Sequence, residues 1–229
     1  MKIIIESKEN IARLVSEEIA ALVKDNPDCA IALCAGRTPE GIYEKLSASD
    51  ADFSKLRLFG IGEYLGLAED DERRCSEYLR NALGEKLVAE NYHEPDAENP
   101  ESYDEEIAAC GGLRLALLGM GLNGHIGFNE PTTLYSSLTH VAKLSDNTKR
   151  MKAELFGGVD KVPDEAVTMG LTTICKAKKV VLVAFGEEKA DIVHKLVYGK
   201  TSTYVPAAML QMHMDMSLYL DEAAASKIN

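Results

Sequence analysis

Five short apolar runs recur along the chain, at Ala30–Cys34, Leu56–Ile61, Leu113–Leu118, Val180–Phe185 and Met216–Leu220. Short continuous runs of this kind read as strands buried on both faces, since a half-buried strand would alternate apolar with polar residues. Helical patterns lie between them. Ile11, Leu14, Val15, Ile19, Leu22 and Val23 share one helical face behind Ser7 and Asn10, and Cys75–Leu87, Asp146–Phe156 and Glu187–Val197 carry similar stripes. Strands alternating with helices predict an α/β fold: a doubly wound, mostly parallel sheet with helices on both faces. No internal repeat or boundary interrupts the pattern, so residues 1–229 are expected to form one domain. The acidic, polar stretch Tyr92–Asp104 is the expected exposed connection.

Composition narrows the function classes. A chain of 229 residues with 46% hydrophobic side chains is not disordered, and its net charge of −12 is the wrong sign for gripping nucleic acid or an anionic membrane surface. A local cationic pocket for a small anion remains compatible with that charge. No stretch approaches the ~20 apolar residues of a membrane helix, and Met1–Ile5 is too short for a secretory leader. Five scattered cysteines (Cys29, Cys34, Cys75, Cys110, Cys175) without a CxxC pair read as reduced thiols of a cytoplasmic protein, with Cys34 as a small buried residue at a strand end. The sequence gives no direct handle on oligomeric state.

Two loops carry candidate chemistry. Ile31-Ala-Leu-Cys-Ala-Gly-Arg-Thr-Pro39 reads as strand, turn, cap and helix start, the setting in which free helix N–H groups meet an anion. Gly36 allows close backbone approach, Arg37 adds charge and Thr38 adds a hydroxyl. Neither a P-loop nor a dinucleotide fingerprint is present, and an ordinary βα turn fits the same letters. The second loop follows Leu113–Leu118 and reads Gly119-Met-Gly-Leu-Asn-Gly-His-Ile-Gly-Phe-Asn-Glu-Pro131. Histidine, here His125, is the side chain whose ordinary pKa lies near neutrality, and Glu130 is a carboxylate able to fix its tautomer, a combination suited to moving protons. A metal site is not expected, because no other His or Cys stands at ligand spacing; His140 and His213 are distant in sequence.

These residues resemble the glucosamine-6-phosphate deaminase family, including its galactosamine-6-phosphate isomerase branch. Gly121-Leu-Asn-Gly-His-Ile-Gly-Phe-Asn-Glu-Pro131 is similar to the family's G-x-D-G-H-I-x-F-N-E-P signature, and Phe59-Gly-Ile-Gly-Glu-Tyr-Leu-Gly-Leu67 to its F-x-x-D-E-Y-x-G-L segment. Ala35–Pro39 resembles its phosphate loop, Gly186–Lys189 the segment with a phosphate-binding lysine, and Pro206–His213 its S-x-L-Q-x-H helix. The resemblance implies a Rossmann-like fold and a small-molecule ligand, an open-chain 2-amino-2-deoxyhexose 6-phosphate, with ring opening, aldose–ketose isomerisation and loss of ammonia, and no organic cofactor or metal. It assigns His125 to ring opening with Glu130 setting its protonation, and Gly36, Arg37, Thr38 and Lys189 to the phosphate.

Two departures accompany it. Gly62 stands where the family's general-base aspartate is, leaving Glu63 as the adjacent carboxylate, and Asn123 replaces an aspartate, a change the galactosamine branch tolerates. The phosphate-binding arginine implied near Glu154 is also missing, with Lys149, Arg150 and Lys152 nearby and Arg37 as a stand-in. A lactonase of the related 6-phosphogluconolactonase type and a non-catalytic sugar-phosphate binder are the alternatives. Tyr43 and Tyr64 are expected at the site or at the edge of the core, Met209, Met212, Met214 and Met216 as core filler, and the acidic clusters at Glu69–Glu72 and Glu101–Glu106 as solvated faces.

Overall fold

The structure, a computed structural model, describes residues 1–228. The first half of the chain forms β1 (Lys2–Ile5), α1 (Lys8–Asp25), β2 (Ala30–Leu33), α2 (Glu40–Ser47), β3 (Arg57–Gly60), β4 (Gly62–Tyr64), α3 (Cys75–Leu83), β5 (Tyr92–His93) and α4 (Pro100–Ala109). The second half forms β6 (Leu113–Gly119), β7 (His140–Lys143), α5 (Asp146–Phe156), β8 (Glu165–Thr168), α6 (Leu171–Cys175), β9 (Lys179–Ala184), α7 (Ala190–Tyr198) and β10 (Met216–Leu220).

Seven strands pair in the order β1-β10-β9-β6-β2-β3-β5, every neighbour parallel. Alternation along β2 divides the core. Ile31 and Leu33 pack with Ile11 and Val15 of α1, Ile42 and Leu46 of α2, and Leu79 of α3. Ala30 and Ala32 face the opposite layer, where Ile107 of α4, Ile174 of α6 and Leu196 of α7 are buried. The expected doubly wound sheet is therefore present, and β2 and β6 adjoin at its switch point: the chain leaves β2 toward β3 on one side and resumes at β6 on the other. Loops leaving the carboxyl ends of these two strands flank the crevice where open α/β sheets bind ligands.

A second sheet was not anticipated. β4, β8 and β7 form a three-stranded antiparallel sheet, over which Tyr64, Phe128 and Phe156 build a small core of their own. Tyr64 lies edge-on to both rings, with centroids 4.9 and 5.2 Å away.

Several expectations are corrected. Tyr92–Asp104 is no simple exposed connection: Tyr92–His93 pairs with β3 at the sheet edge, and buried Tyr103 of α4 shares its hydroxyl between the carbonyls of Gly60 and His93, each at 2.9 Å. The acidic clusters are partly structural, since Asp104 accepts from the Thr139 N–H and the Thr173 hydroxyl, and Asp71 holds Arg73. Met209 and Met216 are buried, but Met212 and Met214 are 54% and 100% exposed, because they cross the turn between the 3-10 helix Pro206–Met212 and β10. Ser7 alone caps α1, accepting from Asn10 N–H. α3 ends at Leu83, short of Leu87, and a 3-10 turn over Glu187–Lys189 precedes α7. Among the described residues no helix is long and apolar enough to cross a membrane.

Candidate active site at the sheet switch point

The loop leaving β2 is held from behind by two tyrosines. Buried Tyr43 donates its hydroxyl to the Cys34 carbonyl, and Tyr78 donates to the Gly36 carbonyl, each at 2.6 Å. Thr38 does not cap the following helix, as its position before Pro39 suggested. α2 starts at Glu40, its cap position is Pro39 and no side chain caps it. Thr38 lies instead against Gly119 at the end of β6. Arg37 is exposed, with its guanidinium 3.7 Å from the Glu154 carboxylate, so the arginine of this loop reaches the region of α5 where the resemblance implied one. An exposed ion pair of this length contributes little, which leaves Arg37 available to another anion.

The loop leaving β6 folds His125 back over Gly121. A Cβ at Gly121 would run into the imidazole, so a side chain there would displace His125. Asn123 ties the loop together: its Oδ1 accepts the His125 backbone N–H at 3.1 Å and its Nδ2 donates to Glu130 Oε2 at 2.8 Å. Glu130 Oε2 lies 4.0 Å from His125 Nδ1, and Ser145 N–H donates to Oε1 at 3.2 Å. Asn123, His125 and Glu130 therefore form one hydrogen-bonded cluster. Lys189 joins it from beyond β9, its buried ammonium donating to the Met120 carbonyl at 2.7 Å.

Burial decides the charge states. Desolvation pulls the His125 pKa down to about 4, against the attraction of Glu130 and together with repulsion from Lys152 and Lys189. Burial likewise pulls Lys189 down to about 8, with Glu188 opposing and Lys152 adding to the shift. Near neutrality the site thus combines an uncharged imidazole with a charged lysine. Lys152 of α5 lies close enough to act on both groups. Cys34 is buried and its thiol is pushed up to about 11, so it is inert.

Gly62 and Glu63 are placed differently from the cluster. A Cβ on Gly62 would stand 2.6 Å from the Val167 carbonyl oxygen and 2.9 Å from Phe128 Cδ2, so the space beside this glycine is filled by the neighbouring strand and an aromatic ring. Glu63, 5% exposed, turns toward α3. It accepts the backbone N–H groups of Tyr64, Cys75 and Ser76 and the Ser76 hydroxyl at 2.8–2.9 Å, with Arg74 Nε 3.5 Å away. A carboxylate so engaged anchors a helix N-terminus and has no oxygen to spare for a substrate proton. Sequence reasoning missed Ser145 and Thr148, which contact Glu130 and His125 from the first turn of α5; the only signal was the capping pattern before Asp146. Tyr43 and Tyr64 are core residues.

The chain matches, over residues 6–218, the model of a family described as glucosamine-6-phosphate isomerases/6-phosphogluconolactonase. A glucosamine-6-phosphate deaminase of Clostridium perfringens is 39% identical over 235 residues, 97% of each chain. Another from Oceanobacillus iheyensis is 34% identical over 242 residues, 100% of this chain and 97% of that one. A solved monomeric glucosamine-6-phosphate deaminase superimposes with a TM-score of 0.94 at 32% identity, covering 99% of this chain and 100% of that chain. The 6-phosphogluconolactonase of Leishmania guyanensis, with a TM-score of 0.79 at 21% identity over 100% and 98% of the two chains, shares the fold alone. With its switch-point sheet order and full-length likeness, the chain belongs to the glucosamine-6-phosphate isomerase/6-phosphogluconolactonase family.

Proposed function

We propose that the chain is an amino-sugar 6-phosphate isomerase/deaminase, converting glucosamine or galactosamine 6-phosphate to the ketose 6-phosphate and ammonia. The observation that carries this reading is the Asn123–His125–Glu130 cluster joined by Lys189 beyond the carboxyl ends of β6 and β9. Full-length relatives named as glucosamine-6-phosphate deaminases support it. The phosphate is met by Lys189, Arg37, Thr38 and the backbone around Gly36, which reconciles an acidic protein with an anionic ligand. Neutral His125 takes the proton from the anomeric hydroxyl and returns one to the ring oxygen, opening the sugar, while Glu130 and Asn123 orient it. Moving the C2 proton to C1, with an amine proton passing to O1, then converts the amino aldose to a ketose imine, which water hydrolyses to ketose and ammonia. With Gly62 bare and Glu63 committed to α3, that second transfer falls to His125 as well. An acidic chain with unpaired cysteines suits a reducing compartment, and we place the reaction in the cytoplasm.

The test is ammonia release from each amino-sugar phosphate at saturating concentration; no ammonia from either overturns the reading. The crowding at Gly62 favours a second possibility, a one-base hydrolysis of a 6-phosphosugar lactone. Hydrolysis of 6-phosphogluconolactone above its spontaneous rate, without ammonia from the amino sugars, would select it. Sugar-phosphate binding without either turnover would mark a non-catalytic binder.

A further inference from the structure

Two of the groups surrounding the His125–Glu130 pair come from the first turn of α5 rather than from the glycine–histidine loop. Ser145 caps the helix, its Oγ accepting the Thr148 N–H at 3.2 Å. Its own backbone N–H lies outside the helix and goes to Glu130 Oε1. Thr148 is 1% exposed, and its Oγ1 stands 3.3 Å from His125 Nδ1 and 3.3 Å from Ser145 Oγ. A threonine in a helix ordinarily turns its hydroxyl to solvent or back to a carbonyl of the preceding turn. This one is buried and aimed at an imidazole.

Proton bookkeeping then selects a tautomer. Ser145 Oγ and Thr148 Oγ1 stand 3.3 Å apart, so the Thr148 hydroxyl proton has an acceptor other than the imidazole. Glu130 Oε2, 4.0 Å from Nδ1, favours a proton on that nitrogen. Thr148 Oγ1 is the acceptor within reach of an Nδ1–H, which leaves the lone pair of the neutral ring on Nε2. The charged groups acting on the ring are Glu130 from its own loop, Lys152 from α5 and Lys189 from beyond β9; both lysines disfavour the imidazolium.

We propose that Thr148 is a positioning residue for His125: its hydroxyl accepts the Nδ1 proton, holds a single tautomer and leaves Nε2 as the proton acceptor. The consequence for turnover rests on the isomerase/deaminase reading above; the tautomer itself does not. One helix turn thereby clamps both members of the pair, Ser145 on the carboxylate and Thr148 on the imidazole.

The experiment is nitrogen NMR of the full chain labelled at histidine nitrogens, for wild type, Thr148→Val and Thr148→Ser, with His125 assigned through His125→Gln. Wild type and Thr148→Ser should carry the proton on Nδ1 at neutral pH, and the isosteric Thr148→Val should show mixed tautomers. Turnover in Thr148→Val should fall about tenfold, the worth of one lost hydrogen bond, with KM moving less than about twofold and Thr148→Ser restoring the rate. A wild-type proton on Nε2 overturns the proposal even if Thr148→Val does not fold, as does a Thr148→Val enzyme with the wild-type tautomer and rate. A wild type that releases no ammonia but holds the Nδ1 proton sinks the functional reading and leaves this one standing.

Discussion

Glu63 and Ser76 are joined twice: the Glu63 carboxylate accepts both the backbone N–H and the hydroxyl of Ser76, each at 2.9 Å. The pair fixes the start of α3 to β4, and it removes from the crevice the one carboxylate that sequence position offered as a replacement base.

Glu63→Gln should therefore act on stability. Losing the charge leaves N–H donors at the α3 terminus poorly satisfied and Arg74 without one of its two carboxylate partners, costing about 2–4 kcal/mol in urea unfolding. Turnover per folded molecule should stay within about threefold of wild type, well short of the 10²–10⁴ that a general base contributes. A collapse of kcat with unchanged unfolding would show that Glu63 reaches the substrate.

Gly62→Ala tests the crowding beside β4. The added methyl must displace either the Val167 carbonyl of the paired strand or the Phe128 ring, and overpacking of this kind costs about 1–3 kcal/mol. Gly62→Asp should be worse and should lower activity rather than restore a base. Thermal and urea midpoints read the first expectation, and ammonia release reads the second.

His125 makes stability fall in acid. Its folded pKa of about 4 lies below its ordinary value of 6.5, so the unfolded chain binds the proton first and stability drains away between those two pH values. The full difference corresponds to about 3 kcal/mol. Comparing wild type with His125→Gln across this window isolates the contribution from that of the carboxylates. A mutant with the same acid sensitivity as wild type would remove the buried neutral histidine from the account.

Lys189 predicts the opposite limb for anion binding. The ammonium is charged below its pKa of about 8, so affinity for inorganic phosphate or a sugar phosphate should weaken as pH rises through that value. Lys189→Met should raise KM about 10- to 100-fold, the loss of a charge-assisted contact, and abolish the alkaline limb. Competitive inhibition by phosphate, measured across pH, provides the check.

Much of the fold was legible because its strands are buried on both faces. β2, β6, β9 and β10 appear as continuous apolar runs, and α1 and α5 as helical stripes, α1 behind Ser7. The antiparallel β4-β8-β7 sheet was hidden, because its strands are three or four residues long and gain their partners only from distant sequence. The edge strands β1 and β5 were missed for a related reason: β1 is largely exposed and β5 spans two residues. Met212 and Met214 misled because apolar side chains also occur singly on surfaces.

At the candidate site, the local spacing from Asn123 to Glu130 was sufficient to place three chemically related side chains in one loop, since its ends lie seven positions apart and glycines let it fold back. Sequence by itself thus determined the parallel α/β frame, the acidic exterior and the histidine–carboxylate pair. Tertiary structure alone decided that the Glu63 carboxylate is spent on the start of α3, that Gly62 has no room for a side chain, and that Thr148 meets the His125 ring. Those outcomes depend on contacts between segments far apart in the chain, where strand pairing and burial, rather than neighbouring letters, set which groups meet and which proton each one holds.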